Sequence, residues 1–410
     1  MKAVCWYGAR DVRVEEVADP TIINPRDIVV RVTSTSICGS DLHLYNDLFP
    51  GMKRGDILGH ECMGEVVAVG PAVRNLSVGD RVVVPCTIAC GSCFYCKQGQ
   101  FSACDNSNPN PLESVELLGY PGCGMLGYSS VTGSYAGGQA DFIRVPFGDV
   151  GPIKVPEGVP DELVLFLSDI LPTGWMGASN CNVQPGDVVA VWGAGPVGQM
   201  AIRALFAQGA ERVIVIDRLY ERLSIAALAG AETFNANDGD VYEHLLEQTG
   251  GRGPDSCLDA VGMEAHGQGL LGVVDRVKQS IGVETDRPAA LREAVRCVRK
   301  AGTVSLLGVY AGMVDTIPMG VAFNKGVTFR MGQVRVQALG HMLLDMILKG
   351  KLNPADVVTH TVGLEEAPDA YRMFNNKENG CLKVVMKPGG RSPPEVKVVS
   401  AQKTKAAQGH

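Results

Sequence analysis

Residues 38–43 read CGSDLH, a thiol, a hydroxyl and an imidazole within six positions. Those types suit three tasks: metal ligation by Cys38, proton transfer through Ser40 and His43, or simple capping where the alternating run DIVVRVTSTSI ends. Downstream, ILGHECMGEVVAVG supplies His60 and Glu61. Taken singly, each of these residues fits ordinary core or surface, and the cluster is undecided until partners are found.

A second cluster is more specific. CGSCFYCKQGQFSAC sets Cys90, Cys93, Cys96 and Cys104 in a C-x2-C-x2-C-x7-C arrangement. Two-residue gaps let successive thiolates converge on one ion, and a fourth from a short loop closes a tetrahedron. Four thiolates leave no open position, so the expectation is structural zinc. An iron–sulfur cluster is the rival reading, but the ferredoxin run ends C-x3-C-P and this one does not. Unligated buried thiols are the plain alternative.

A third stretch, VVAVWGAGPVGQMAIRALFAQGAERVIVID, contains Gly193, Gly195 and Gly198 as G-x-G-x-x-G. The motif follows an apolar strand, opens a helical pattern, and leads to a second strand ending in Asp217, nineteen residues after Gly198. That context predicts a dinucleotide site: Gly193 for the tight turn, Gly195 for close approach of a pyrophosphate, Gly198 for helix–strand packing. The helix N-terminus faces the phosphates. Asp217 accepts from ribose hydroxyls and repels a 2′-phosphate, which favours NAD over NADP, with Arg218 beside it as a partial offset.

These groups need a frame of some size, and 410 residues allow two domains with real cores. Hydrophobic residues make up 46% and charged residues 20%, the mixture of a soluble globular chain, and the net charge is −7. With no Lys/Arg run to track phosphates, nucleic acid is excluded as the main partner. MKAVCWYGARDVRVEEV enters strand-like alternation at once, so no signal peptide is read, and the longest apolar region is interrupted by glycines and Arg203, so no membrane span is expected. Thirteen cysteines, an odd number with four bunched together, favour metal ligation in a reducing cytoplasm over disulfides. Residues 1–150 carry short alternating runs separated by Gly, Pro and Asp, which predicts a β-rich, barrel-like unit. From about 170 to 330, VVAVWGAG, RVIVID, DSCLDAVG and GTVSLLGV alternate with helical patterns, which predicts a parallel α/β sheet. LGHMLLDMILKG and LKVVMKP read as a helix and a strand that rejoins the first unit. The tail from 389 to 410 has little to bury and is expected to be disordered.

Taken together, the cysteine box, the dinucleotide fingerprint and GHECMGEVVAVG, which fits GHE-x2-G-x5-G, resemble the zinc-dependent medium-chain alcohol dehydrogenase family over residues 2 to about 388. The resemblance implies a β-rich GroES-like catalytic domain, residues 1–169 completed by 333–388, and a Rossmann NAD-binding domain, residues 170–332. It implies that Cys38 and His60 ligate a catalytic zinc, that Ser40 and His43 form a proton relay, and that Glu61 stands behind the metal and can enter its sphere transiently. In many members the third ligand is a cysteine, whereas LFLSDILPTGWMGA offers Asp169. SDILPTG and CGSD-x-H are shared with the glutathione-independent formaldehyde dehydrogenases and formaldehyde dismutases, so Asp169 is the expected third ligand; a helix N-cap is the alternative for it. Two zincs per subunit and one NAD follow. Cofactor contacts are expected from Gly39, Ser40, His43 and Thr173, from Gly193, Gly195, Pro196, Val197 and Gly198, and from Asp217, Arg222, Val261, Val309 and Gly332. The implied partners are a small alcohol or aldehyde and further copies of the chain, as a homodimer or homotetramer. The rival functions are a redox-neutral aldehyde dismutase and a non-catalytic zinc-stabilised protein.

Two features depart from those relatives. Between Gly262 and Ala301 lie 38 residues, of which PAALREAVRCVRK fits a crossover helix with Pro288 at its first position. The remainder is an insertion which, by resemblance, covers the adenosine end of NAD through His266 and Gln268 and retains the cofactor. The other is Cys86, at a place that usually carries a ring. The smaller side chain is expected either to widen the pocket beside the zinc for substrates bulkier than formaldehyde, or to fill a small gap in the core.

Overall fold

The computed structural model describes residues 1–263, 288–310, 314 and 316–392. The strand Ile28–Ile37 is the centre of the first unit, because its ten residues are long enough to take several partners. It pairs antiparallel with Cys62–Val69, Phe142–Val145 and Val384–Lys387. Arg81–Val84 and Ile153–Lys154 extend the sheet on one side, and His360–Gly363 lies parallel to Val384–Lys387 on the other. Residues 360–387 thus rejoin the first unit. The helix Val336–Leu348, which precedes them, shares a core with Val83, Ile153 and Leu165.

A second sheet has six parallel strands in the order Glu232–Asn235, Arg212–Asp217, Val188–Trp192, Ser256–Asp259, Thr303–Leu306 and Thr328–Met331. That is the doubly wound dinucleotide order, with its crevice at the carboxyl ends where the order reverses, between Val188–Trp192 and Ser256–Asp259. Every residue of Val188–Trp192 is buried, since helices cover both faces. Val189 and Val191 pack against the helices Ile170–Cys181 and Pro196–Ala207, while Val188, Ala190 and Trp192 face Val241–Gln248 and Ala289–Cys297.

All four predicted strands of this sheet form. The outermost two, Glu232–Asn235 and Thr328–Met331, were not expected: each has four residues, two exposed in the first and three in the second, with no alternation to read. The crossover helix is Ala289–Cys297, and Pro288 is its N-cap rather than its first residue. All thirteen cysteines are free. Among the described residues no helix is long and apolar enough to cross a membrane. His266, Gln268 and the tail from residue 393 lie outside the described residues, and with them the readings of cofactor retention and of a disordered tail.

Candidate active site between the two units

Cys38 ends the central strand and N-caps the short helix Gly39–Tyr45, its backbone N–H donating to Asp41 Oδ2 at 2.9 Å. The register that pairs Thr35 with Cys62 brings His60 alongside it. Asp169 arrives from elsewhere, at the joint between the 3₁₀ turn Leu165–Ser168 and the helix Ile170–Cys181. It occupies the N-cap position, but its side chain does not cap. Thr173 Oγ1 donates to Oδ1 at 2.8 Å, and Oδ2 lies 3.4 Å from His60 Nε2 and 3.7 Å from Cys38 Sγ. One donor atom from each of the three residues falls within 4.8 Å of the others. Bonds of about 2.0–2.3 Å at a tetrahedral angle separate zinc ligands by about 3.3–3.6 Å, so this sulfur–nitrogen–oxygen set fits such an ion.

The surroundings hold the imidazole in one orientation. Asp41 Oδ1 is 3.0 Å from His60 Nδ1, which leaves Nε2 for the cluster. Asp41 is itself held by Gln139 Nε2 at 3.3 Å, and Gln139 accepts from Tyr371 Oη at 2.8 Å. Such backing fixes the tautomer and position of a metal-binding histidine. Burial works against charge on His60, but Asp41 and Asp169 outweigh it and push its pKa well up. Burial pushes the Cys38 thiol up, and Glu61 adds to this, so a thiolate there calls for a cation. Ser40 Oγ lies 3.1 Å from His60 Nε2 and 3.4 Å from Cys38 Sγ. His43, three residues along the same helix, is buried and lines the adjoining cavity.

Glu61 does not line that cavity. Its carboxylate accepts from Lys383 Nζ and Ser36 Oγ, and both Glu61 and Lys383 are fully buried. Lys383 also donates to the Ile37 carbonyl at 2.9 Å and stands 5.5 Å over the Phe166 ring. Both of those contacts engage Oε2, whereas Oε1 is buried without a hydrogen-bond partner among the described residues. Neither Asp41 nor Lys383 was singled out by sequence reasoning. Asp41 sat unread inside CGSDLH; the signal for Lys383 is one ionisable residue in the otherwise apolar run LKVVM.

The cysteine box forms as spaced. Cys90, Cys93, Cys96 and Cys104 bring their sulfurs within 4.8 Å of one another. Backbone N–H groups of Ser92 and Cys93 donate to Cys90 Sγ at 3.4 and 3.3 Å, that of Cys96 to Cys93 Sγ at 3.5 Å, and that of Cys90 to Cys104 Sγ at 3.3 Å. Burial alone raises the Cys90 thiol, but the N–H groups of Ser92 and Cys93 and the Ser92 hydroxyl hold it down at about 6. Convergent thiols with N–H donors aimed at sulfur suit a closed ion site of four thiolates.

A single cavity of about 1390 Å³ joins the Cys38–Asp169 cluster to the glycine loop. Gly39, Ser40, His43, Thr173, Gly193, Gly195, Pro196, Val197, Asp217, Arg222, Val261, Val309 and Gly332 all line it. The three loop glycines divide their tasks. Gly193 has φ +92°, a Cβ on Gly198 would sit 1.9 Å from the Gly193 carbonyl oxygen, and one on Gly195 would meet nothing nearer than Arg222 Nη1 at 3.5 Å. Gly198 is accordingly a packing residue away from the cavity. Asp217 Oδ2 accepts from the Ala194 N–H at 2.7 Å, tying the loop to the end of the second strand. Of the two readings of Cys86, the core filler is the one that fits its surroundings. It is fully buried among Cys38, Met63 and Val83, bonded through its backbone to Ser168 and Leu126, and it does not line the cavity. Its side chain fills core, and other residues set the width of the pocket.

Comparison with known proteins agrees with this architecture. The model of the alcohol dehydrogenase GroES-like domain matches residues 24–156, and that of the zinc-binding dehydrogenases matches residues 196–276. An uncharacterized zinc-type alcohol dehydrogenase-like protein of Bacillus subtilis is 39% identical over 95% of this chain and 100% of its own length. Formaldehyde dismutase of Pseudomonas putida is 33% identical over 95% of this chain and 98% of its own. Alcohol dehydrogenase TADH from Thermus sp. ATN1 superposes with a TM-score of 0.81 at 36% identity, covering 95% of this chain and 100% of that one.

Proposed function

We propose, because this chain belongs to the zinc-type alcohol dehydrogenase family, that it interconverts a primary alcohol and its aldehyde with NAD as hydride carrier. The observation that carries the reading is the meeting of Cys38 Sγ, His60 Nε2 and Asp169 Oδ2 at one end of a cavity whose other end is the glycine loop. Cys38, His60 and Asp169 would hold a catalytic zinc, and the four cysteines a second, structural one. When bound, the catalytic ion supplies Lewis acidity, which lowers the pKa of a neighbouring hydroxyl by several units; a carboxylate in place of a second thiolate donates less charge and sharpens that effect. Ser40, nearest the cluster, takes up the hydroxyl proton, and His43 on the next turn of the helix passes it outward. The glycine loop and the N-terminus of Pro196–Ala207 receive the pyrophosphate, and Asp217 the adenosine ribose. Thirteen unpaired cysteines fit a reducing compartment, the cytoplasm.

Elemental analysis and nucleotide reduction test the proposal together. Purified protein should carry two zincs per chain and reduce NAD with primary alcohols, and Asp169→Ala should retain one zinc and lose turnover. Full activity in that variant would overturn the assignment. The second reading, a dismutase, is favoured by the 33% identity to the Pseudomonas putida enzyme. It predicts equal alcohol and acid from an aldehyde without added nucleotide.

A further inference from the structure

We propose that the substrate is an uncharged primary alcohol, or its aldehyde, carrying an apolar tail of several carbons that runs past Leu118; this rests on the oxidoreductase reading above. The cavity, at about 1390 Å³, exceeds the ~300–1,000 Å³ of a site for one small ligand, so it has room for a nucleotide and a second molecule of substance. The two ends of its lining differ in chemistry. Apart from Asp169 and Lys377, every Asp, Glu, Lys and Arg on its wall falls within residues 217–296, in the parallel-sheet half. Lys377 shares a smaller recess with Leu219 and Arg222, so it too belongs to the nucleotide end.

Beyond Ser40 and His43, the wall of the other end includes Leu42, Phe49, Leu118, Met125, Tyr128 and Val334, with the Gln333 amide turned onto Met125 Sδ at 3.9 Å. Phe49 and Tyr128 meet edge to face at 5.2 Å between centroids, which fixes both rings. Two further hydroxyls there are already engaged: Ser102 donates to the Gln333 carbonyl at 2.9 Å and Thr132 to the Ser129 carbonyl at 3.1 Å. Among the described residues, no lysine or arginine on this wall meets a phosphate or carboxylate, so a charged hydroxy acid or a sugar phosphate is disfavoured. A one-carbon substrate would leave the wall uncovered.

The apolar path continues outward. Leu117 and Tyr120 line the cavity yet are 41% and 56% exposed. Leu112, Val115 and Leu118 recur at three-residue spacing along the helix Pro111–Leu118, which places them on one face, and Leu112 and Val115 are exposed. An apolar strip leading from a cavity to the surface marks a route for an apolar ligand. The wall that decides tail length is therefore this helix, with Leu118 at its inner end. The overall reaction balances as alcohol plus NAD⁺ giving aldehyde, NADH and one proton, the hydride leaving the carbinol carbon and the proton leaving the hydroxyl.

The test is a series of straight-chain primary alcohols, from methanol to 1-decanol, turned over by the zinc-loaded full-length protein with NAD. We expect kcat/KM to climb by about fourfold per methylene buried. Leu118→Gln should flatten that slope, lowering kcat/KM for 1-octanol at least about tenfold more than for ethanol. A residue that merely supports the fold would shift all members equally. A flat or falling series in the wild-type protein overturns this inference alone, as does an equal loss across the series in Leu118→Gln. No turnover of any alcohol or aldehyde overturns it together with the oxidoreductase reading.

Discussion

Asp41 uses its two oxygens for two different tasks. Oδ2 accepts the Cys38 N–H and so fixes the turn that presents the thiol, while Oδ1 faces His60 Nδ1. Asp41→Asn keeps an acceptor for the turn but removes the charge that sets the imidazole. Changes of this kind typically weaken metal binding about 10–100-fold. Competition with a chelator should show that loss at the catalytic position, while the four-cysteine ion stays bound. Lys383 and Glu61 present a different energetic case, because both are fully buried. Removing one partner of such a pair costs about 3–5 kcal/mol, since the other charge is left uncompensated, whereas replacing both by apolar residues is nearly neutral. Lys383→Met should therefore lower the denaturation midpoint sharply, and the double change with Glu61→Leu should recover more than half of the loss. At this scale the sequence was legible where several thiols stood at fixed spacing, as in the cysteine box, whereas Asp169 was reached only through the resemblance that SDILPTG carries. It was opaque for Lys383, whose partner lies more than three hundred residues away.

The glycine loop separates packing from binding within one element. A methyl group on Gly198 collides with the Gly193 carbonyl, and backbone cannot yield as a side-chain tip can. Gly198→Ala should thus lower Tm and abolish nucleotide binding together. Gly195→Ala projects into open space near Arg222, so Tm without ligand should stay close to that of the parent, while the stabilisation by added NAD falls because the pyrophosphate can no longer approach. Thermal melts with and without NAD distinguish the two. Elements were readable from sequence in proportion to how deeply they are buried. Val188–Trp192 and Arg212–Asp217, walled by helices, announced themselves as unbroken apolar runs, as strands covered on both faces must. The helix Pro111–Leu118 did not, although it shapes the proposed substrate wall, because in eight residues the stripe of Leu112, Val115 and Leu118 runs for barely two turns.

At the scale of the molecule, the parallel sheet ends on Thr328–Met331, which among the described residues pairs on one side only, with Thr303–Leu306. Its other edge offers a row of backbone donors and acceptors, an arrangement that invites pairing with another chain. The side chains around it are apolar and open: Met331 is 62% exposed, and in the helix that precedes the strand Met319 and Phe323 are 58% and 83% exposed. A patch of this kind on a folded chain marks an interface. A second copy meeting it about a two-fold axis would run antiparallel, continue the sheet, and cover all three side chains in one closed, self-complementary contact. That arrangement also places the two nucleotide crevices on a shared rigid platform, leaving the catalytic units free at either end. The prediction is a homodimer, or a tetramer of such dimers, held by this edge. Phe323→Lys with Met331→Lys buries two like charges per subunit at the contact and should shift sedimentation to the monomer. Far-UV circular dichroism should be unchanged, because both side chains are exposed in the single chain. If the double variant sediments as the parent does, the subunits meet elsewhere, and Thr328–Met331 remains an edge protected only by Arg330.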